Sequence, residues 1–200
     1  MTNNDEFAEL ARIIRSQGVM RNVRSTEYRE GMEKKYPDID SRFLFTNIGF
    51  NFRPTEMEGA FGLVQFAKFK QYLDARIDNA HFFTSQLQKF SQYITLPQPH
   101  HNAKVSWFFY PIMVRDDAPF TTKQIVTFLE EWGIETRPIM SGDYTRHPLF
   151  HLYDHRIHGE LSRAAFIHKH GFIVGVHGGI THEDREYMAK TFEDFFATLY

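Results

Sequence analysis

The chain contains no cysteine in its 200 residues, which excludes a disulfide framework and thiolate chemistry and fits a reducing compartment. Long apolar runs are missing too. No stretch approaches the roughly 20 apolar residues that a membrane-crossing helix needs, and the opening MTNND is polar rather than the start of a signal-peptide core. A cytoplasmic protein is the expectation. Charge of one sign is equally scarce: 23 Lys and Arg stand against 25 Asp and Glu, a formal net charge of −2. That leaves no footprint for nucleic acid or an anionic membrane. Arg21, Arg24 and Arg29 cluster, but Glu27, Glu30 and Glu33 interleave with them, so no contiguous basic track forms.

Apolar residues make up 42% of the chain, ample for a buried core in one large or two small domains. The 21 phenylalanines fall at helical and strand spacings rather than in one patch, which makes core packing their first use and interface their second. Asp5 is placed to cap a first helix, with Phe7, Leu10, Ala11 and Ile14 as its apolar stripe and Gly18 as its stop. Residues 19–40 are charged and aperiodic, the pattern of a solvated loop with room for a short helix. Thr55 and Glu58 have capping-box spacing, and an apolar stripe through Met57, Phe61, Val64, Tyr72, Ile77, Ala80, Phe83 and Leu87 then runs to Phe90 without an internal proline. This predicts one helix, or two nearly continuous ones, of roughly 50 Å. Gly59 and Gly62 either leave its surface bare for another backbone or a partner subunit, or are simply tolerated.

Beyond Pro97 and Pro99, residues 107–114, 134–140 and 172–176 are predicted strands, and 122–132 a helix stopped by Gly133. Thr181 starts a final helix with Tyr187, Met188, Thr191, Phe195 and Leu199 turned inward. The expected class is α/β, a long helix followed by a small sheet covered by helices. No second independent core is visible before residue 54, so the N-terminal part should dock onto something else.

Residues 49–55, Gly-Phe-Asn-Phe-Arg-Pro-Thr, combine a glycine that allows close backbone approach, a carboxamide that donates and accepts, and a guanidinium fork, just before a helix start. Such a set suits an anionic ligand. The plainer uses are Asn51 capping its own turn and Arg53 in a surface ion pair. Arg137 and Arg146 flank a strand end and the Ser141-Gly142 turn, where loops commonly carry ligand contacts, and structural ion pairs are their alternative. His177, in Gly-Val-His-Gly-Gly, is a candidate ligand contact or a helix cap. His147, His151, His155 and His158 have spacings that would align them on one helical face. No HExxH or cysteine pattern accompanies them and Pro148 suggests irregular structure, so no metal ligand is assigned.

The run GFNFRPTEMEGAFGLVQF strongly resembles the GYNxRxTExQAAxGLxQL segment in the C-terminal half of the DegT/DnrJ/StrS-type PLP-dependent nucleotide-sugar aminotransferases and related 3-dehydrases. The resemblance continues through WFFYPIMV, GIETRPIMSGDYTRHP, FIVGVHGGIT and REYM, and so covers essentially the whole chain. SRFLFTNIGFNFRPTE and GIETRPIM look closest to the branch that includes lipopolysaccharide deoxysugar 3-dehydrases. It implies the C-terminal portion of a fold-type I PLP-dependent transferase. Residues 1–54 would then be a remnant of the large PLP-binding domain, 55–90 the helix that bridges the two domains, and 91–200 the small C-terminal domain.

The resemblance also implies PLP as cofactor of the complete enzyme, a homodimer or larger oligomer, and a nucleotide-linked 4-keto-6-deoxyhexose that is transaminated or loses its 3-hydroxyl. Asn51 matches the asparagine that reaches the PLP phosphate of the neighbouring subunit, with Arg53 beside it, and Arg137, Arg146 and His177 match regions near the nucleotide sugar. Two departures stand out. RPIMSGD replaces RPxxAGN, so Asp143 removes two N–H donors and adds a charge that opposes a diphosphate unless Arg146 compensates. Gly178-Gly179 replaces Pro-Gly after His177, which implies a looser turn.

In the resembled family the lysine that carries PLP, or the histidine replacing it in the 3-dehydrases, lies just upstream of a run that Met1–Asp5 resembles. The aspartate that pairs with the pyridine nitrogen lies further upstream. None of the chain's lysines sits in a matching context, so no catalytic residue is assigned and the chain is expected to be inactive alone. The competing expectations are a non-catalytic dimerisation or interaction module derived from that fold, and a histidine-based metal-binding module.

Overall fold

The computed structural model describes residues 2–200 as two units, one running to Phe66 and the other from Ala67 to Tyr200, with one helix continuous across the boundary. Met1 of the opening run lies outside the described residues.

In the first unit, α1 spans Asp5–Ile14 and is capped by Asn4, whose side chain accepts the Phe7 amide at 3.0 Å. The cap expected at Asp5 is thus one residue earlier. Asp5 sits instead in the first turn, where its charge faces the positive end of the helix dipole. The helix ends at Ile14 with Arg15 as its C-cap, short of the expected stop at Gly18; Gln17 is the first left-handed residue, and Gly18 follows at φ +85 with its amide donating to Ile13 O at 2.9 Å. The expected stripe is not an inward face: Ile13 is buried, while Phe7 and Leu10 are exposed.

The segment expected as a solvated loop holds a 3-10 turn at Met20–Asn22 and a second helix, α2 (Thr26–Lys35), capped by Ser25. Met20 and Val23 from this segment pack with Ile13 and Leu44 in one buried cluster, with Met32 against them, and Val19 is buried as well. This is the short helix for which the segment left room, and with none of its residues buried no apolar period marks its bounds.

Glu56–Leu87 form α3, 32 residues and about 48 Å at the standard rise. Its start is the reciprocal box that the sequence spelled. Glu58 Oε2 accepts the Thr55 amide at 2.6 Å, and Thr55 Oγ1 accepts the Glu58 amide at 3.3 Å. Residues 56–71 are exposed throughout, Met57, Phe61, Leu63 and Val64 included, and burial begins only at Asn79, Ala80, Phe83 and Leu87. A Cβ on Gly59 or Gly62 would meet nothing within 4 Å, so no part of the described chain uses their bare surface.

The second unit is built on a four-stranded antiparallel sheet of order β1-β2-β4-β3, from Ile94–Thr95, Tyr110–Val114, Thr136–Pro138 and Gly171–Val174. Strand alternation divides it cleanly. Tyr110, Ile112, Val114, Phe172 and Val174 enter a core shared with Phe83 and Leu87 of α3, Ile125 and Leu129 of α4 (Thr122–Glu131), and Phe192, Phe195 and Phe196 of α6 (His182–Ala197). The opposite residues, Pro111 and Met113, border a groove with Phe166 and Ile167 of α5 (Ser162–His170), a helix with no sequence forecast. Thr121 and Thr181 cap α4 and α6 with full capping boxes, and Gly133, at φ +77, stops the turn after α4. Tyr187, expected inward, is half exposed and donates its hydroxyl to Trp132 O at 2.9 Å.

Candidate functional site

The motif at 47–53 is fastened by backbone before any side chain acts. Phe50 N–H donates to Ile14 O at 2.6 Å, Gln17 N–H to Phe50 O at 2.8 Å and Phe52 N–H to Arg15 O at 2.9 Å, with Ser16 and Asn51 as bridge partners. Two glycines make the crossing possible. A Cβ on Gly18 would lie 1.7 Å from Asn47 O, and one on Gly49 would lie 2.2 Å from the Gly18 nitrogen. The close approach that Gly49 permits is therefore to the chain's own backbone. Phe50 and Phe52 stack at 4.9 Å and 8° on one side, and alternation turns Asn51 to the other.

Asn51 and Arg53 are both exposed, and among the described residues neither side chain has a hydrogen-bond or ion-pair partner. Neither of the plainer uses, turn cap or surface ion pair, is therefore taken up. A free carboxamide donor and a free guanidinium on a pinned segment fit the phosphate of PLP in donor chemistry.

In the second unit, Arg137 and His177 line one cleft of about 600 Å³ with Phe108, Glu135, Asp184 and Tyr187. Arg137 projects from β3 opposite Ile173 of β4, on the face away from the core. Glu135 Oε1 takes its Nε and Nη2 at 2.9 and 2.6 Å. His177 is held at both ends. Its Nδ1 accepts the Gly179 amide at 3.1 Å, and its carbonyl accepts the Asn79 side chain at 3.2 Å. Gly178 is pressed on α3, where a Cβ would meet Tyr72 Cδ1 at 2.8 Å. The Gly-Gly turn is accordingly tight rather than loose. Asp184 closes the α6 cap, and the Thr181 hydroxyl, then the Thr181 amide, hold its carboxyl below the usual range, with His177 adding to the effect.

Arg146 does not line this cleft. It pairs with Asp143, Nε to Oδ2 at 3.2 Å, while the Asp143 carboxylate also takes the Thr145 hydroxyl at 2.6 Å and amide at 3.0 Å. Asp143 is 5% exposed, so the charge expected to oppose a diphosphate is turned inward and compensated by Arg146. The histidines at 147–158 do not share one helical face: His147 joins two 3-10 turns, His151 lies in the second, and His155 and His158 lie in the loop beyond. His147 meets Ser141 O at 2.8 Å and His155 packs on Phe150. Among the described residues no three metal-type side chains converge. Asp184, Glu135 and Tyr187 were not expected in a site. The Thr181-to-Asp184 box was a sequence signal that could have placed Asp184 at a helix mouth.

The DegT/DnrJ/EryC1/StrS aminotransferase family pattern matches residues 1–193. A GDP-4-keto-6-deoxy-D-mannose 3-dehydratase of Yersinia pseudotuberculosis is 32% identical over 88% of this chain and 44% of its own length. The lipopolysaccharide biosynthesis protein RfbH of Salmonella typhimurium is 29% identical over 78% of this chain and 36% of its own length. The solved structure of the E. coli GDP-4-keto-6-deoxy-D-mannose-3-dehydratase with bound hydrated PLP superimposes with TM-score 0.78 at 26% identity, covering 96% of this chain and 48% of that one. An aminotransferase from Psychrobacter cryohalolentis, at 17% identity, shares the fold with TM-score 0.81 over 99% of this chain and 51% of its own. The chain thus spans about half the length of the relatives it matches or less. No described helix is long and apolar enough to cross a membrane. With 193 of its residues inside the family pattern and its architecture shared with the family's solved structures, the chain belongs to the DegT/DnrJ/EryC1/StrS aminotransferase family.

Proposed function

We propose that this chain is the C-terminal portion of a PLP-dependent enzyme that transaminates or 3-deoxygenates a nucleotide-linked 4-keto-6-deoxyhexose in deoxysugar or lipopolysaccharide biosynthesis. The convergence of Arg137 and His177 on one cleft is the observation that carries it. In this reading Asn51 and Arg53 grip the cofactor phosphate. Arg137 and His177 meet the nucleotide sugar, and Arg146 serves the cleft indirectly by neutralising Asp143. PLP supplies an electron sink when bound. The residue that holds it covalently belongs to a polypeptide upstream of this segment, so the 200-residue chain alone neither fixes PLP nor turns over substrate. The assembled form is a homodimer or larger oligomer, working in the cytoplasm without nucleic acid or membrane.

Borohydride reduction of the chain in PLP, followed by peptide mapping, tests this directly. The expected result is no stoichiometric pyridoxyl label on any one lysine; a single lysine labelled to completion would overturn the reading. In an enzyme reassembled with the upstream half, Asn51→Ala should weaken PLP retention while leaving the unfolding curve in place. Equal retention in mutant and parent would refute the phosphate assignment.

A second reading, a non-catalytic association module, is favoured by the exposed apolar residues along the first half of α3. A stable folded dimer that neither binds PLP nor gains activity with an upstream half would support it.

A further inference from the structure

We propose that Arg76 is a phosphate-binding residue of the second unit's cleft, supplying the cationic contact to the diphosphate of a nucleotide ligand. The proposal rests on the reading of that cleft as a nucleotide-sugar site, and it adds a residue that no motif singles out.

The position of Arg76 follows from its neighbours on α3. Tyr72 packs on Gly178 and Asn79 donates to the His177 carbonyl. Arg76 is four residues from one and three from the other, so it leaves the helix on the face that meets the His177 turn. Its guanidinium lies over the Phe108 ring, 5.9 Å from the centroid, and Phe108 lines the cleft while 76% exposed. The ring gives the flat cation a platform at the mouth.

Charge sets Arg76 apart from the other arginines nearby. Arg137 is paired with Glu135, Arg185 with Asp78 and Arg146 with Asp143. The remaining carboxylate on this stretch of α3, Asp74, is taken by Lys70. Among the described residues Arg76 has no carboxylate partner, and its Nε is buried without an acceptor. A buried N–H donor left without an acceptor is a standing demand for one. Arg76 borders the cleft rather than lining it, so its side chain would turn across the exposed Phe108 ring to meet anionic oxygens there, and its planar fork suits two phosphate oxygens at once.

Calorimetric titration of the 200-residue chain with GDP, and separately with guanosine, tests the assignment. The parent should bind GDP more tightly than guanosine. Arg76→Gln should weaken GDP binding by roughly tenfold to a hundredfold, the worth of a charge-assisted bond, and leave guanosine binding unchanged. Arg76→Lys, which keeps the charge but not the fork, should fall between parent and Gln variant and carries the test should the Gln variant fail to fold. Undiminished GDP binding in the variants, beside a parent that binds GDP, overturns the role of Arg76 and leaves the cleft reading standing. A parent that does not bind GDP overturns the cleft reading and this assignment with it.

Discussion

The two units of the chain use the same kinds of residue to opposite ends. In the second, seventeen buried hydrophobic side chains form one cluster, and the aromatic rings interlock, Phe120 with Phe195 at 5.0 Å and Phe90 with Phe196 at 4.0 Å. In the first, five hydrophobic side chains are buried, Ile13, Val19, Met20, Val23 and Leu44, while Phe43, Phe45, Phe50, Phe52 and Phe61 are each more than half exposed. Five side chains bury far less apolar surface than seventeen do, against the ordering of about sixty residues. Fractional composition hides this difference, because phenylalanine is abundant in both. The first unit leaves most of its large apolar side chains exposed, and the second buries them.

The sharpest way to break that contrast is to cut the two cores equally. Phe83→Ala removes a fully buried ring from the second unit and should destabilise its unfolding transition by about 3–5 kcal/mol in urea, followed by near-UV circular dichroism. Met20→Ala, at an equally buried position of the first unit, should leave that transition in place. Matching losses from both would mean that the units unfold as one.

Next in size is association. Met57→Glu with Phe61→Glu changes residues 83% and 69% exposed, so the folded chain loses no packing. The pair should move the apparent mass in sedimentation velocity downward while stability stays within about 0.5 kcal/mol. A parent that is already a monodisperse monomer would show that the bare aromatics need no cover.

A smaller effect distinguishes two capping boxes of the same chemistry. Thr181→Ala should cost the second unit about 1 kcal/mol, because α6 carries Phe192, Phe195 and Phe196 into its core. Thr55→Ala removes the same hydroxyl from the exposed start of α3 and should leave that transition unmoved, lowering only the helical signal. Equal shifts in the transition would place both helix starts in one cooperative unit.

The features legible in the sequence were those set by neighbours within four residues: the Thr55 box, the helix start at Thr181, the stops near Gly18 and at Gly133, and three of the four strands. What escaped depended on distant partners. Met20 and Val23 sit in a charged, aperiodic stretch, and only Ile13 and Leu44 make them core. Strand β1 is two residues long and exists through its pairing with β2. Helix α5 starts without a side-chain cap and ends in His168, Lys169 and His170, so neither a start signal nor an apolar stripe announced it. In the cleft, Arg137 and His177 were chosen for residue type and turn context, whereas Glu135, Asp184 and Tyr187 came from the meeting of β3 with the start of α6.

The smallest expected effect concerns Asp143, where sequence and structure disagree about which way a charge faces. The Thr145 hydroxyl, then the Thr145 amide and Arg146, hold its carboxyl below the usual carboxylate range. A depressed folded value means that the stabilisation is complete above the unfolded value of about 3.9 and is lost as pH falls through the lower folded one. The Thr145 amide resonance should therefore hold its position down to about pH 4 and shift only below it. Asp143→Asn keeps an acceptor oxygen for Thr145 but loses the charge that holds Arg146, so the acid shift should vanish and Arg146 should be released. A midpoint within the ordinary carboxylate range would mean that the carboxylate faces water, and its charge would then lie open to an approaching diphosphate.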